Sequence, residues 1–586
     1  MDDVEITLVS TLAECAEFLA WCEERTGYVA CDTETTGLDW WSETFACRLV
    51  QFGTRDRAYV IPVAWYGRCI SQALSLFAAN IDLDVVFHNA PYDIHVLQGA
   101  GFPPLREDQV RDTNLIHRLT NPASFHSLKG ISRGLVDEQA ADGQGLLKAL
   151  FNKYNFTWAT VPVEHPIYWG YAGLDVILTS RVYDLLDPPE VASDLEHAYQ
   201  NIMIRAETRG MRVDMEYTRQ LADEWTNDCT VMAQTIRDTF GIENPASNQM
   251  VEAALREMGW VPTEFTEKSG QAKLDKAVFA RLQDFGGPRG ELASLLVEYN
   301  RKSKWVSTYL NRFLESDGVV HPGVNTMEAK TGRSSITNPP MQTLPHTPHI
   351  RNCILPWEGD DLWAIDYRGQ EARIVAAYAK EEKMIEFFNG DDGDIHSFVG
   401  RMLYGEAFTP EQRDNIKTYN FASLYRAGPA KLAVLAGVPE VEMQRLIDDY
   451  DRAFPAIRRF FRTIDDLGGS RLRDSGEGFV KTLGGRKVSV LHDDDVYCLT
   501  NYVIQGSGAD VLKQAVVRLD AAGLGDYIVL PVHDELLFSL PQGPRGAGLA
   551  VEIAELMTDR TSLSVPLTVD VTGPLSRWGE AYEESK

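Results

Sequence analysis

The sequence predicts a multidomain chain, an α/β unit over residues 1–190 followed by a larger α+β unit over 191–586. Three observations carry this. Short apolar runs alternate with helical patterns as far as residue 186. Asp187-Pro188-Pro189 then breaks the chain. Beyond it the sequence is mainly helix-forming, with β texture at 362–366 and again at 527–540.

In chain order, Thr11–Glu24 has helical spacing, and Tyr28–Asp32, Leu49–Gly53, Ala58–Val63 and Val85–His88 are apolar enough for strands. Tyr171–Leu186 is helical again, with Tyr171-Ala-Gly-Leu-Asp175 opening the helix. Residues 191–315 are amphipathic, as in Leu195–Thr208 and Leu292–Leu314. From 316 to 348 Gly and Pro become frequent, ending in NPPMQTLPHTPH, which excludes one long helix. Helical sequence dominates 370–470, and the runs 527–532 and 535–540 flank His533-Asp534 as strands. At 586 residues the chain has room for about three to five packing units.

Composition excludes several classes. No charge-free apolar run nears the ~18–20 residues that span a bilayer. The acidic start, MDDVEITLVS, is not a signal peptide. The expectation is a cytoplasmic protein without a membrane partner. The eight cysteines form no C-x-x-C pair, which argues against zinc and for reduced, mostly buried thiols. The net charge of −29 runs against nucleic-acid binding, yet residues 401–490 hold 15 Lys and Arg against 12 Asp and Glu.

Two sets of side chains carry chemistry. In the first unit, Asp32 and Glu34 follow the strand YVAC, and Asp93 lies in Asn89-Ala-Pro-Tyr-Asp93 after the strand VVFH. Tyr171 and Asp175 stand one turn apart on a helix. Four carboxylates can hold two divalent cations, and a phenol can orient an attacking water. In the second unit, Asp366 closes an apolar run, and Asp534 and Glu535 sit between two more. Arg413, Lys417, Phe421 and Tyr425 recur every four residues, so they share one helical face. The cations of that stripe suit a triphosphate and the aromatics suit a base. Taken singly, each acid reads as readily as a turn or surface residue, and the stripe as an ordinary amphipathic face.

Together these segments resemble a known family. DYRGQEAR (366–373), the 413–425 stripe and VHDE (532–535) resemble motifs A, B and C of the family A DNA polymerases. TGRSSITNPPMQTLP (331–345), DIH (394–396) and NYVIQGSGAD (501–510) match further segments in the family's order. DTETTGL (32–38), NAPYD (89–93) and YAGLD (171–175) resemble the DEDD-type 3′–5′ proofreading exonucleases that carry a tyrosine. The resemblance implies a ribonuclease H-like exonuclease domain over 1–190. A right-hand polymerase domain follows over 191–586, with thumb about 191–315, palm about 316–390 and 496–586, and fingers about 391–495.

It also implies roles. Asp366, Tyr367 and Asp534 hold two Mg²⁺ ions, with Mn²⁺ an alternative and Glu535 assisting. Arg413, Lys417 and His396 contact the triphosphate, with Lys417 a proton donor to pyrophosphate. Phe421 and Tyr425 pack on the nucleotide and template base, and Glu371 blocks a ribose 2′-OH. Arg333, Asn501, Gln505 and His533 touch the primer-template. In the exonuclease, Asp32, Glu34, Asp93 and Asp175 hold two further ions and Tyr171 acts with them; Asp112 either supports the site or is structural.

Four positions depart from the family pattern: Arg368 and Gly369 replace Ser and Gln, and Ala422 and Arg426 replace glycines. Phe421 matches relatives that discriminate against dideoxynucleotides, which is the expectation here. With the first exonuclease acid at residue 32, the expectation is a chain without a 5′-nuclease domain ahead of it, a layout resembling bacteriophage replicative enzymes. Primer-template DNA and deoxynucleoside triphosphates are the expected partners; a helicase, primase or single-strand-binding protein is not identified by the sequence. Three rivals remain: a single-subunit RNA polymerase, against which Glu371 and the exonuclease argue; an exonuclease whose C-terminal half only clamps DNA; and a non-catalytic DNA-binding scaffold, which would have lost metal ligands.

Overall fold

The computed structural model describes residues 4–266, 270–345, 347–390, 393–423, 426 and 428–583, with the side chains of Glu190 and 421–423 outside the description. Tyr425 thus lies outside the described residues, and Phe421 is described in backbone only.

The first unit is a six-stranded sheet with helices on its faces. Its strands are β1 (Glu5–Leu8), β2 (Gly27–Thr35), β3 (Cys47–Gly53), β4 (Arg57–Pro62), β5 (Leu83–Phe87) and β6 (Val110–Asp112), in the order β1-β4-β3-β2-β5-β6. The β4-β3-β2 segment is an antiparallel meander, and β1, β5 and β6 join in parallel. The helices are α1 (Leu12–Glu23), α2 (Val63–Ala79), α3 (Ala90–Gly99), α4 (Thr113–Thr120), α5 (Leu128–Leu135), α6 (Asp142–Tyr154) and α7 (Pro166–Leu185). Thr11 and Glu14 form a reciprocal capping box at the start of α1. Val29, Cys31, Val50, Phe52, Val85 and Phe87 fill the core on β2, β3 and β5.

Two expectations are corrected here. The strand does not stop at Asp32 but runs on to Thr35, because Glu34 pairs with Leu49 and Thr35 with Cys47 on β3. Nor does Tyr171 open its helix: α7 starts at Pro166, where a proline fits the first turn, so Tyr171 and Asp175 stand in its second and third turns. The glycine between them is a packing requirement. A Cβ on Gly173 would come within 2.3 Å of Ile6 Cγ2 on the sheet.

Helix α8 (Glu190–Arg209) leads into the second unit. Strand β7 (Met211–Val213) is followed by α9 (Met215–Phe240), α10 (Asn248–Glu257), α11 (Lys276–Phe285) and α12 (Gly287–Trp305). Ile236, Leu255, Leu282, Leu292 and Leu296 form a separate core among these helices. The pattern over 292–314 is not one regular α-helix: a π turn at Val306–Leu310 precedes α13 (Asn311–Leu314) and turns Tyr309 and Leu310 into the main core. The Gly- and Pro-rich stretch holds β8 (Val319–Val320), β9 (Gly323–Asn325), β10 (Ser335–Thr337), α14 (Pro348–Arg351) and β11 (Ile354–Leu355).

Strand β12 (Asp360–Tyr367) begins the second main sheet. A helical block follows: α15 (Gln370–Ala379), α16 (Glu382–Gly390), α17 (Ile395–Tyr404), α18 (Pro410–Ser423), α19 (Pro429–Ala436), α20 (Glu440–Ala453) and α21 (Pro455–Ser475). The hairpin β13 (Gly478–Lys481) and β14 (Lys487–Val490) leads to α22 (Cys498–Ala521), β15 (Ile528–Val532), β16 (Glu535–Pro541), α23 (Pro544–Met557) and β17 (Val569–Leu575). The sheet is antiparallel in the order β15-β16-β12-β17.

The two units meet through α8. Buried His95 on α3 bonds to Glu207 at 2.6 Å, and Asp112 accepts from Gln200 at 2.9 Å. Deeper in the second unit, Lys513 on α22 binds Glu196 on α8 at 2.7 Å. Arg486 pairs with Asp510 and reaches Glu196 at 3.4 Å, and all four side chains are buried. Two cations and two anions thus balance inside the protein, which such burial requires. Lys513 also donates to the carbonyls of Thr326 and Gly332 at 2.8 Å, which pins the 326–333 segment. Gly332 has φ +77°, and a Cβ there would overlap Arg486, so the glycine of TGR is obligatory. All eight cysteines are free, and no helix among the described residues is long and apolar enough to cross a membrane.

Candidate active sites

On β2, residues 32 and 34 are two apart and so share a face of the strand. Helix α7 packs across β2 and β3 and sets Asp175 against that face. The result is a cluster in which ligand atoms of Asp32, Glu34 and Asp175 all lie within 4.8 Å of one another. Among the described residues this is the one such grouping of three or more His, Cys, Asp or Glu. Asp93, in the first turn of α3, lies beside it and accepts from Thr33 Oγ1 at 2.7 Å.

The electrostatics fit a cation. Burial is the main force holding Asp32 up at about 6, partly offset by the Gln51 amide that donates to it. Burial, then the charge of Asp32, pushes Glu34 and Asp93 well above the usual carboxylate range. Crowded acids of this kind give up protons to a hard divalent cation, whose preferred ligands are carboxylate oxygens. Tyr171, held in its neutral form by burial, stands one turn before Asp175.

Asp112 lies behind the site and not among the clustered acids. It accepts from the backbone N–H of Asn89 at 2.9 Å, Ala90 at 3.0 Å and Asn114 at 2.9 Å, so it fixes the start of α3, which carries Asp93. Lys129 was not apparent in the sequence. It enters on α5, contacts Asp175 directly, and lies 4.8 Å from the centre of the Tyr171 ring. The spacing from 129 to 175 carries no local signal that could have announced the pair.

In the second site, Asp366 on β12 pairs in register with Glu535 on β16 and with Asp570 on β17. Asp534 sits on the two-residue turn from β15 to β16, where His533 takes φ +59°. The Tyr367 N–H donates to the Asp534 carbonyl at 3.2 Å, which ties the turn to β12. The Tyr367 phenol is buried on the Met557 carbonyl at 2.7 Å, so this residue has only main-chain atoms to offer a metal. Burial first, then Asp534, Glu535 and Asp570, push Asp366 up to about 8. Burial also raises Asp534 and Glu535. These three acids stand further apart than the Asp32 cluster, but their mutual repulsion is of the same kind.

Further contacts hold this site, and of the residues they add only Arg368 was singled out in the sequence. Tyr582 donates to Glu535 at 3.2 Å, and the Arg351 guanidinium lies 3.9 Å from the centre of the Tyr582 ring. Arg368 pairs with Asp570, its Nε 3.0 Å from Oδ1. That accounts for a cation at position 368, since it neutralises a fourth acid beside Asp366. Gly369 has φ +55° at the start of α15, and Arg426 keeps φ +54° and pairs with Asp465 at 3.0 Å. Ala422 lies among the side chains outside the description.

Around the acids, Arg333 Nη2 donates to Glu371 Oε1 at 2.8 Å. Burial still raises Glu371 against that cation. Asn501 and Gln505, one turn apart on α22, are both buried, and the Asn501 amide nitrogen has no partner among the described residues. Helix α18 turns Asn415, Ile416 and Tyr419 to the core, which leaves Lys417 exposed and Arg413 half-buried on another face. Arg413 pairs with Asp394 at 2.9 Å, and Asp394 caps α17. His396 Nδ1 lies 3.1 Å from the Asn420 amide. The 413–417 part of the stripe is therefore not a core face.

Comparison with known proteins follows this geometry. The family model described as DNA polymerase family A matches residues 215–580, and a 3′–5′ exonuclease model matches 6–189. The chain is 32% identical to a DNA polymerase of Mycobacterium phage D29, over 99% of this chain and 98% of that protein. It is 27% identical to DNA polymerase I of Pseudomonas aeruginosa, over 97% of this chain and 65% of that protein. In fold it resembles the solved POL domain of Pol1 from M. smegmatis, in complex with DNA primer-template and dNTP, with a TM-score of 0.77, 23% identity and coverage of 98% and 100%.

Proposed function

The chain belongs to the family A DNA polymerases and carries a 3′–5′ exonuclease domain, and from that premise we propose how its residues divide the two activities. The observation that carries the polymerase assignment is Asp366 in register with Glu535, with Asp534 on the adjoining turn. The sheet β15-β16-β12-β17 with α22 and α23 serves as the palm, within about 316–390 and 496–586. The block from α17 to β14 serves as the fingers, within about 391–495, and α9 to α13 as the thumb, within about 191–315. The exonuclease occupies 1–190. Primer-template DNA and deoxynucleoside triphosphates are the substrates, the pair named for the solved M. smegmatis neighbour. A host cell's cytoplasm and Mg²⁺, replaceable by Mn²⁺, complete the proposal.

When bound, divalent cations supply electrostatic stabilisation of the entering and leaving oxygens in both reactions. Asp366 and Asp534, with the Tyr367 carbonyl, would hold two of them, and Asp32, Glu34, Asp93 and Asp175 the other two. Everything else falls to side chains. Arg413, Lys417 and His396 receive the triphosphate on the exposed face of α18 and its neighbour α17. Lys417 protonates the departing pyrophosphate. Phe421 and Tyr425 stack on the nucleotide and template base. Glu371, held by Arg333, closes the space a ribose 2′-OH would need. Asn501, Gln505, Arg333 and His533 meet the minor groove, where a buried donor such as the Asn501 amide finds an acceptor whatever the base pair. In the exonuclease, Tyr171 orients the attacking water.

The reading in which the C-terminal half merely clamps DNA is not favoured, since the polymerase family match spans that half and Asp366, Lys417 and Asp534 are all present. Extension of a labelled primer, with all four deoxynucleotides or with none, tests the whole assignment. Growth in the first case and 3′ shortening in the second are expected. Shortening in both would overturn the polymerase roles.

A further inference from the structure

Lys129 stands inside the exonuclease site. Its side chain is 13% exposed and that of Asp175, its direct partner, 11%. The ammonium also faces the Tyr171 ring, and Asp32 and Glu34 are the other charges that act on it. Its position is built. Ser127 caps α5 by accepting from Gly130 at 3.3 Å, and the His126 carbonyl accepts from Asn114 at 3.0 Å and His88 at 3.1 Å. A lysine on a fixed helix end thus reaches into a group of carboxylates that must otherwise repel one another. It lies against the acid that would ligate a cation and beside the phenol that would orient water.

A cation bound at Asp175 repels the ammonium. The four-carbon stem lets it swing without moving α5. We propose that Lys129 is a working cation of the exonuclease: it pairs with Asp175, would yield that carboxylate to a divalent ion, and would then donate to a non-bridging oxygen of the scissile phosphate. In the step itself the water gives up a proton to solvent as its oxygen bonds to phosphorus, the P–O3′ bond breaks, and its electron pair leaves with the 3′ oxygen of the preceding nucleotide, which takes a proton from solvent. The Lys129 ammonium stabilises charge gathering on the phosphoryl oxygens and transfers no proton in this step. This rests on the assignment of Asp32, Glu34, Asp93 and Asp175 as the exonuclease ligands.

Lys129→Met tests it, with Mn²⁺ binding followed by electron paramagnetic resonance in an Asp366→Asn/Asp534→Asn background that silences the other site. Mn²⁺ should bind about tenfold tighter, because a competing charge next to the ligands is gone. Thermal melting in EDTA should fall and recover when Mn²⁺ is added. Excision of a single-stranded 3′ end at saturating Mn²⁺ should slow about 10²-fold, the usual cost of one transition-state donor. Unchanged Mn²⁺ affinity, excision within twofold of the parent, or a stability loss that Mn²⁺ does not restore would each overturn the proposal. Lys129→Gln keeps a polar contact without charge and must show the same shifts, which covers a methionine variant that fails to fold. Asp32→Ala checks the underlying assignment separately: if it retains Mn²⁺ binding and excision, the ligand set is wrong whatever Lys129 does.

Discussion

At the scale of single residues, charge balance around Asp366 has a direct consequence. Asp570 pairs in register with Asp366, and Arg368 screens it. Arg368→Ser leaves Asp570 unscreened and makes the site more negative. Half-maximal primer extension should then need severalfold less Mg²⁺, read from a metal titration at fixed nucleotide. Glu371→Ala should raise ribonucleotide incorporation by at least tenfold, since it opens the space beside the sugar and releases Arg333; single-nucleotide insertion kinetics with matched ribo- and deoxynucleotides measure it. What was readable at this scale was the acids at strand ends. Asp366 and Asp534 each sit against apolar runs that read as strands, and their place in the order of motif segments set them apart from ordinary turn or surface acids. Lys129, Tyr582, Arg351 and Asp570 were not readable, because each acts on a residue brought near only by the fold.

At the scale of elements, the loop from α4 to α5 depends on neutral histidines. His88 Nδ1 lies 2.8 Å from Thr113 Oγ1, and His117 Nδ1 lies 2.9 Å from His126 Nδ1. Burial lowers all three imidazoles, His88 and His126 to about 4. The unfolded chain takes up these protons near pH 6.5, before the folded one does, so stability is fully present above 6.5 and drains away as pH falls toward 4. For His88 alone the loss is up to roughly 3 kcal/mol. Melting temperature recorded from pH 7 to 4 should fall steeply over that window, and His88→Asn should flatten the slope. Strand and helix positions were largely legible from apolar periodicity, as with Leu49–Gly53 and Leu362–Asp366. Ends were less so. β2 runs on through two acids because pairing with β3 outweighs their poor strand propensity, and α7 starts at a proline five residues before Tyr171.

At the scale of the whole molecule, both carboxylate sites depend on long-range registry that no local pattern encodes. The order of the motif segments along the chain was legible; their packing through α8 was not, since α8 reads simply as an amphipathic helix. The buried set of Glu196, Lys513, Arg486 and Asp510 shows the cost of disturbing that packing. Glu196→Gln leaves two cations against one anion in the interior and should destabilise the second unit by about 3–5 kcal/mol, measured by urea unfolding. Primer extension should suffer with it, because the segment bearing Arg333 is tied to Lys513.

The same four side chains say where the molecule can be divided. A cut at Asp187–Pro189 keeps Glu196 with its three partners on one fragment, and severs only contacts such as His95 with Glu207 that two fragments could remake by association. A cut after Arg209 would carry Glu196 away and leave Lys513 and Arg486 in a dry interior with Asp510 as their one anion. The helix that follows the exonuclease in sequence is thus the property of the other half, and a separable polymerase fragment has to begin before it.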